Sequence, residues 1–493
     1  MKDDILGRLS VSMESLENKL VEKTRLKAEL IKTVHPTQRD SAANLIRYLA
    51  LRSEDIRLTQ NDLHNMGLSS LASSESHLLR QIQSIRERLG HKYRTSEISD
   101  CTLESSKKLI KQKSAALFGP KEGDYLPSIM VTFDASFADN YALIKNLLLH
   151  GMNVARINCA HDDEATWARL ISNLRKAMEK TGKPCRIYMD LAGPKIRTRI
   201  INKGRKKGRV KIKEGQIIWM AEKAKNFDKE EVVIHPNEKG IIASLKKEER
   251  IFIDDGMIQG VVENVRKDRV GIRITRISTA KKQIKEGKGI NFPDTDLDIP
   301  ALTLFDISVL PFVCENADMV GYSFIRDPAD MALLMHELDK FKGRRPDLII
   351  KVETPEAVLN LPMLLLEGMK RPAVGVMIAR GDLAVEIGFE RLSEIQEEIL
   401  WICEAAHIPV IWATQVLESL NKSGMATRSE ITDVVHSAQA ECVMINKGLH
   451  TIEVMETLID ILKRTAEHRS KKRFIFRPLN IARQFFGENQ AVL

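Results

Sequence analysis

The sequence predicts an α/β protein: a (β/α)8 TIM barrel with an inserted antiparallel β-barrel lid domain and an all-α N-terminal extension. Three observations carry this. From Pro127 onward, short β-branched runs alternate with helical repeats, the pattern of a parallel sheet. There are eight such runs: Ile129–Val131, Val154–Asn158, Arg186–Asp190, Met319–Ser323, Leu348–Glu353, Val374–Arg380, Val410–Thr414 and Cys442–Ile445. After the third run the alternation is broken by short strand-like stretches at 209–213, 231–234, 250–253 and 271–274, which read as an inserted domain over the barrel mouth.

The segment before the barrel, residues 1–115, reads as wholly helical. Leu6, Leu9, Met13, Leu16, Leu20 and Leu26 form an apolar stripe that breaks at His35-Pro36, and further helices are expected over 41–53, 58–66 and 78–89. Nothing there has catalytic spacing, so a small helical domain or an oligomerisation arm is expected. Residues 118–123 read as a linker. The expected units are the extension at 1–115, barrel at 127–198, lid at 199–292, barrel at 293–470 and a tail at 471–493.

Bulk properties exclude several classes. Of the 493 residues 43% are hydrophobic and 29% charged, a globular composition, and no uncharged apolar run is long enough to span a bilayer. Six scattered cysteines without a CxxC pair argue for a reducing compartment and against a structural zinc site. The first residues lack a secretory pattern, which makes the cytoplasm the default expectation. The net charge of +9 is dispersed over runs at 203–207, 281–282 and 469–473. With 5% aromatics, these read as solvated loops rather than a nucleic-acid surface. A basic surface also suits a small polyanionic substrate.

The chemistry concentrates between Leu348 and Asp382. Lys351 and Glu353 lie two apart on one strand and so face one space, and Arg380-Gly381-Asp382 ends the next strand at the same side. In a closed α/β barrel that end is where catalysis sits. The alternative is a buried Lys–Glu pair of structural use.

These residues and their neighbours resemble the pyruvate kinase family. The resemblance runs in order through Asn153-Val154-Ala155-Arg156-Ile157-Asn158, Asp190-Leu191-Ala192-Gly193-Pro194-Lys195-Ile196-Arg197-Thr198, Ile253-Asp254-Asp255-Gly256 and Gly289-Ile290-Asn291-Phe292-Pro293. It continues through Lys351-Val352-Glu353, Ala379-Arg380-Gly381-Asp382-Leu383 and Ala413-Thr414-Gln415, and ends with Thr427-Arg428-Ser429-Glu430 before Asp433. It implies transfer of a phosphoryl group from phosphoenolpyruvate to ADP, a reaction of positioning and charge stabilisation. By the same resemblance Glu353 and Asp382 hold Mg²⁺ (or Mn²⁺), and Lys351 stabilises the moving phosphoryl group. Arg156 binds phosphate, Thr414 stands where the proton arrives, and Gly381, Arg197 and Lys288 lie on the substrate and nucleotide side. It also implies a homo-oligomer.

The chain departs from the family in three ways. Asn158, Asp190 and Lys195 mark the region where the family holds K⁺, but Ala160 replaces the usual serine and Lys195 a common glutamate. An ammonium group can take over a monovalent cation's electrostatic role, so activity independent of K⁺ is expected. Asn446-Lys447-Gly448 replaces the family's Ser-Gly-Glu-Thr loop, which opens the alternative of a kinase or lyase for another enolpyruvate-like acid. About thirty residues follow Leu462, too few for the family's C-terminal regulatory domain. A non-catalytic binding homologue is a further alternative, which has no use for Lys351 or Thr414. A Schiff-base aldolase needs a neutral lysine, which Glu353 opposes.

Overall fold

The computed structural model describes the chain except residues 1, 122–125, 201–207, 224–226, 229, 279–282, 298, 467–468, 471–472 and 475–493. The basic runs at 203–207 and 281–282, and most of the tail from 471, fall outside the described residues. Eight parallel strands close into a barrel: β1 (Ser128–Phe133), β2 (Met152–Asn158), β3 (Arg186–Asp190), β4 (Met319–Tyr322), β5 (Asp347–Val352), β6 (Val374–Ala379), β7 (Val410–Ala413) and β8 (Cys442–Ile445). Each is one of the eight runs expected from the sequence. β1 and β6 are buried along their whole length, as strands covered on both faces must be. Ser323, Glu353, Arg380 and Thr414, expected as final strand residues, lie one residue or more beyond the strand ends, where the backbone is free to turn into the mouth.

The N-terminal segment is helical, with Lys2–Leu26, Arg39–Arg52, Arg57–Asn65, Leu78–Arg88 and Leu103–Phe118 its main elements. Leu9, Met13, Leu16 and Leu20 are buried as the stripe predicts, whereas Leu26 at the helix end is exposed. The segment is not a detached arm, since its apolar residues belong to the same core cluster as the outer faces of the barrel strands. Asn44 Nδ2 donates to Ala405 O at 2.8 Å and Gln38 Nε2 to Pro372 O at 2.8 Å. The expected linker begins instead with a plug. Leu117 and Phe118, 1% and 0% exposed, join Met130, Val154, Met319, Ile349 and Met444 inside the barrel. An added Cβ on Gly375, at the start of β6, would meet Leu117 Cδ1 at 3.1 Å, so the plug enters from the N-terminal end of the strands. An apolar helix end stops the barrel's lower opening where a flexible linker would leave it wet.

The insert between β3 and β4 has its own core, built on Ile218, Met220, Ile234, Ile258, Val262 and Ile272. Its main sheet orders seven strands as Ile290–Asn291, Arg250–Ile253, Ile258–Arg266, Arg269–Ile277, Ile217–Ala221, Val233–Pro236 and Thr198–Ile200. One pair departs from the expected antiparallel pattern: Ile217–Ala221 and Val233–Pro236 run parallel. A parallel pair requires a crossover connection rather than a tight hairpin.

Candidate active site

Because all eight strands are parallel, their C-terminal ends share one face, and the polar residues that interrupt the apolar strands gather there. Asp190, Glu353, Lys351 and Arg156 are 1%, 2%, 7% and 9% exposed. Charges buried so deeply need partners, and these partner one another. Lys351 Nζ donates to Ser323 Oγ at 2.6 Å and stands 2.9 Å from Glu353 Oε1 and 3.2 Å from Asp190 Oδ1. Arg156 donates through Nε and Nη2 to Asp190 Oδ2 at 3.0 and 2.6 Å, and through Nη1 to Thr132 Oγ1 at 3.1 Å. Tyr188 donates its hydroxyl to Asp190 Oδ1 at 3.2 Å. Gly321 makes this packing possible, because a Cβ there would fall 1.9 Å from the Tyr188 hydroxyl and 2.6 Å from Asp190 Oδ1.

Two cations thus face two carboxylates, with each state set by its surroundings. Burial works against the Lys351 ammonium, but Asp190 and Glu353 more than offset it and hold its pKa above the ordinary lysine value. Burial likewise opposes the Asp190 charge, and Lys351 and Arg156 outweigh it, so its carboxyl is held below the usual range. Glu353 goes the other way. Burial raises its pKa, Lys351 pulls it down, and the negative charges of Asp382 and Asp190 push it up again. Its Oε2 accepts the N–H of Phe324 at 2.7 Å.

The helix Arg380–Ile387 brings in Asp382. Arg380 is fixed by Asp433 at 2.7 and 2.9 Å, by Ala413 O at 3.0 Å, and by the Trp412 ring at 4.5 Å. Gly381 N–H donates to Thr414 Oγ1 at 2.9 Å. Thr414 has φ +63° and Gln415 φ +55°. A β-branched residue in the left-handed region is strained, and such strain gathers at functional sites. Glu353 and Asp382 offer hard oxygens, and their mutual repulsion is the imbalance a divalent cation relieves. Among the described residues no group of three or more His, Cys, Asp or Glu is arranged for a metal. Two carboxylates with water and substrate suit Mg²⁺, so the donor set fits that ion.

This arrangement coincides with a match along the sequence: the family model for the barrel domain of pyruvate kinase covers residues 116–449, about two thirds of the chain.

The chain belongs to the pyruvate kinase family.

It is similar to pyruvate kinase of Bacillus licheniformis, 30% identical over 67% of this chain and 56% of that protein. It resembles that of Thermotoga maritima at 30% over 69% of this chain and 70% of the relative. For Dictyostelium discoideum the figures are 34%, 68% and 64%. The match thus spans between about half and 70% of these relatives.

The chain's departures from the family have a definite geometry. Of the residues expected to mark the monovalent-cation region, Asn158 and Asp190 are register partners on β2 and β3, while Lys195 Nζ donates to Asp382 Oδ1 and Oδ2 at 2.7 and 3.0 Å. Asp190 is already saturated by Arg156, Lys351 and Tyr188, and Asn158 Oδ1 accepts the N–H of Ala160 at 3.0 Å. Lys195 is bonded to Asp382 instead. Arg197 Nη1 donates to Gly287 O at 3.1 Å, and Lys288 lies 3.0 Å from Asp254. Each of the two side chains thus has a partner in the insert.

After β8, Asn446 O accepts from Asn421 Nδ2 at 2.6 Å, and Lys447 lies 3.4 Å from Asp134. Gly448 lies so close to Asn421 that a Cβ would come 2.2 Å from its Oδ1, which fixes the course of the changed loop. The His161 pKa is lowered first by burial and then by the charges of Lys447 and Arg197, with Arg156 adding to the fall and Asp162 opposing it. Sequence reasoning passed over Thr132, Tyr188, Ser323 and His161 as site residues. A legible signal was present for Thr132 and Ser323, which are polar residues at the C-terminal ends of otherwise apolar runs.

Proposed function

We propose that the protein transfers the phosphoryl group of phosphoenolpyruvate to ADP, giving pyruvate and ATP, as a cytoplasmic enzyme of glycolysis. The observation that carries this is Lys351, a buried ammonium held charged by Asp190 and Glu353 where a phosphoryl group would move. All three of its N–H bonds are engaged. Ser323, the neutral partner, is the one a phosphoryl oxygen displaces at least cost. Arg156 spends three of its five N–H bonds on Asp190 and Thr132 and keeps two for phosphate. In the reaction the bond from phosphorus to the enol oxygen breaks and one to an ADP phosphate oxygen forms, while the enolate carbon takes a proton. Thr414, its hydroxyl oxygen accepting from Gly381, would direct its own O–H toward that carbon. Mg²⁺, when bound by Glu353 and Asp382, supplies positive charge for substrate oxygens.

The Lys195–Asp382 pair supports a reaction independent of K⁺, because a tethered ammonium supplies monovalent charge at the site. One observation favours a second reading. Asn446-Lys447-Gly448 follows β8 where the family has a Ser-Gly-Glu-Thr loop, and the Lys447 ammonium suits an enolpyruvate-like acid with an additional anionic group. A coupled assay with phosphoenolpyruvate, ADP and Mg²⁺ tests the first reading. The same assay over a panel of enolpyruvate-like acids tests the second, with turnover of phosphoenolpyruvate alone deciding against it.

A further inference from the structure

The two segments that join the insert to the barrel are both gripped by one short helix. They first pair with each other: Ile290 N–H donates to Ile196 O at 2.8 Å, and Thr198 N–H to Lys288 O at 2.7 Å. This neck then touches Arg380–Ile387 at two heights. At the first turn Lys195, from the outgoing segment, holds Asp382 at 2.7 Å. One turn later Asn291, from the returning strand, donates Nδ2 to Glu386 Oε1 at 2.7 Å. Asp382 and Glu386 are four residues apart and so lie on one helix face. Just past the helix, Phe389 closes on Gly256, where a Cβ would stand 3.3 Å from its ring.

We propose that Asn291 and Glu386 are positioning residues: their hydrogen bond seats the neck of the insert on the helix that presents Asp382, so that the pose of the insert and the aim of the Asp382 carboxylate are set together. This rests on the reading of Asp382 as a metal ligand.

Three features separate this contact from ordinary packing. Asn291 is 5% exposed, and its Oδ1 has no hydrogen-bond partner, so a buried amide spends its donor on Glu386 and leaves its acceptor unpaired. Glu386 is kept among other carboxyl groups. Its pKa is pushed up to about 7 by burial, with Asn291 pulling it down and Asp382 and Glu356 adding to the rise. An apolar pair would fill the same space without these costs, so the polar pair serves direction rather than stability. A cavity of about 120 Å³ lies beside it, bounded by Lys195, Asn291, Phe324, Glu356 and Glu386. The neck is therefore not wedged in place by close packing along that side, and the polar contacts carry its position.

The test uses the full chain with Asn291→Ala, Glu386→Ala, the double substitution and Glu386→Gln. Two readouts need no turnover: amide hydrogen exchange of peptides covering 195–198 and 288–292, and Mn²⁺ binding followed by electron paramagnetic resonance. Each alanine variant is expected to speed neck exchange about tenfold and weaken Mn²⁺ binding about fivefold, and the double variant is expected to match either single one. Glu386→Gln recovers both, because the glutamine oxygen still accepts from Asn291. Exchange in β1 and β2 stays unchanged, which separates positioning from general destabilisation. Unchanged neck exchange, or a loosened neck with unaltered Mn²⁺ binding, overturns the proposal. So do additive single effects. If both readouts move as expected while wild type yields no pyruvate, the proposed reaction fails and the positioning role stands.

Discussion

Replacing Lys195 by methionine removes the ammonium from Asp382 while keeping most of the side chain's length. The pair is 2.7 Å long, with the two side chains 24% and 18% exposed. Coulomb's law at an effective dielectric near 20 gives about 6 kcal/mol as an upper bound. Solvent screening and the ordering of a long side chain reduce the net to about 1–2 kcal/mol. A cation that binds Asp382 must displace Lys195, so the variant recovers that amount on binding. Mn²⁺ or Mg²⁺ affinity should tighten by about 5–30-fold, while the loss of fixed positive charge lowers the maximal rate. Titration calorimetry with each metal reads the first effect, and steady-state kinetics the second. Unchanged or weaker metal affinity in Lys195→Met would refute the view that Lys195 and the metal compete for one carboxylate.

Wild-type activity should be the same in potassium and tetramethylammonium chloride at equal ionic strength, and strong activation by potassium would show that Lys195 does not supply that charge. Phe118→Ala should destabilise the fold by about 3–5 kcal/mol through the cavity left in the barrel's lower end, read by urea unfolding. A loss below about 1 kcal/mol would mean that the plug is dispensable. Burial pushes the Lys113 ammonium down to about 7, where its partners are Gln38 Oε1 at 2.6 Å and Ser41 Oγ at 2.9 Å. A lysine whose folded pKa is depressed carries a penalty that is full below about pH 7 and fades as pH rises toward its unfolded value. Lys113→Met should therefore raise stability by about 2–3 kcal/mol more at pH 6 than at pH 9, and an equal gain at both would contradict the assignment.

The barrel was legible because its signal is local. Each strand is a short β-branched run such as Val374–Ala379, bounded by breakers such as Pro372, and the eight occur at regular spacing. Lys351, Glu353 and Asp382 were legible for the same reason, since strand periodicity and a common strand end place them together. What sequence did not disclose depends on contacts between distant segments. Phe118 looked like the start of a linker because the Gly119-Pro120 that follows it is a turn signal, and only the closed barrel supplies the opening it fills. Lys195 was placed with Asn158 and Asp190 by the resemblance to the family, which does not reveal its hydrogen-bond partner. The choice of Asp382 follows from Arg156 and Lys351 already satisfying Asp190. The parallel pair in the insert was hidden because alternation reveals a strand and not its direction.

The most direct test of the account is pyruvate formation from phosphoenolpyruvate, ADP and Mg²⁺ by wild type and Lys351→Met, with circular dichroism to confirm that both are folded. The predicted result is turnover by wild type and a loss of at least about a thousandfold in the variant, because Lys351 is the ammonium that bridges Asp190 and Glu353 where the phosphoryl group would move. Absence of pyruvate from folded wild type, or a folded Lys351→Met that turns over at the wild-type rate, would contradict it.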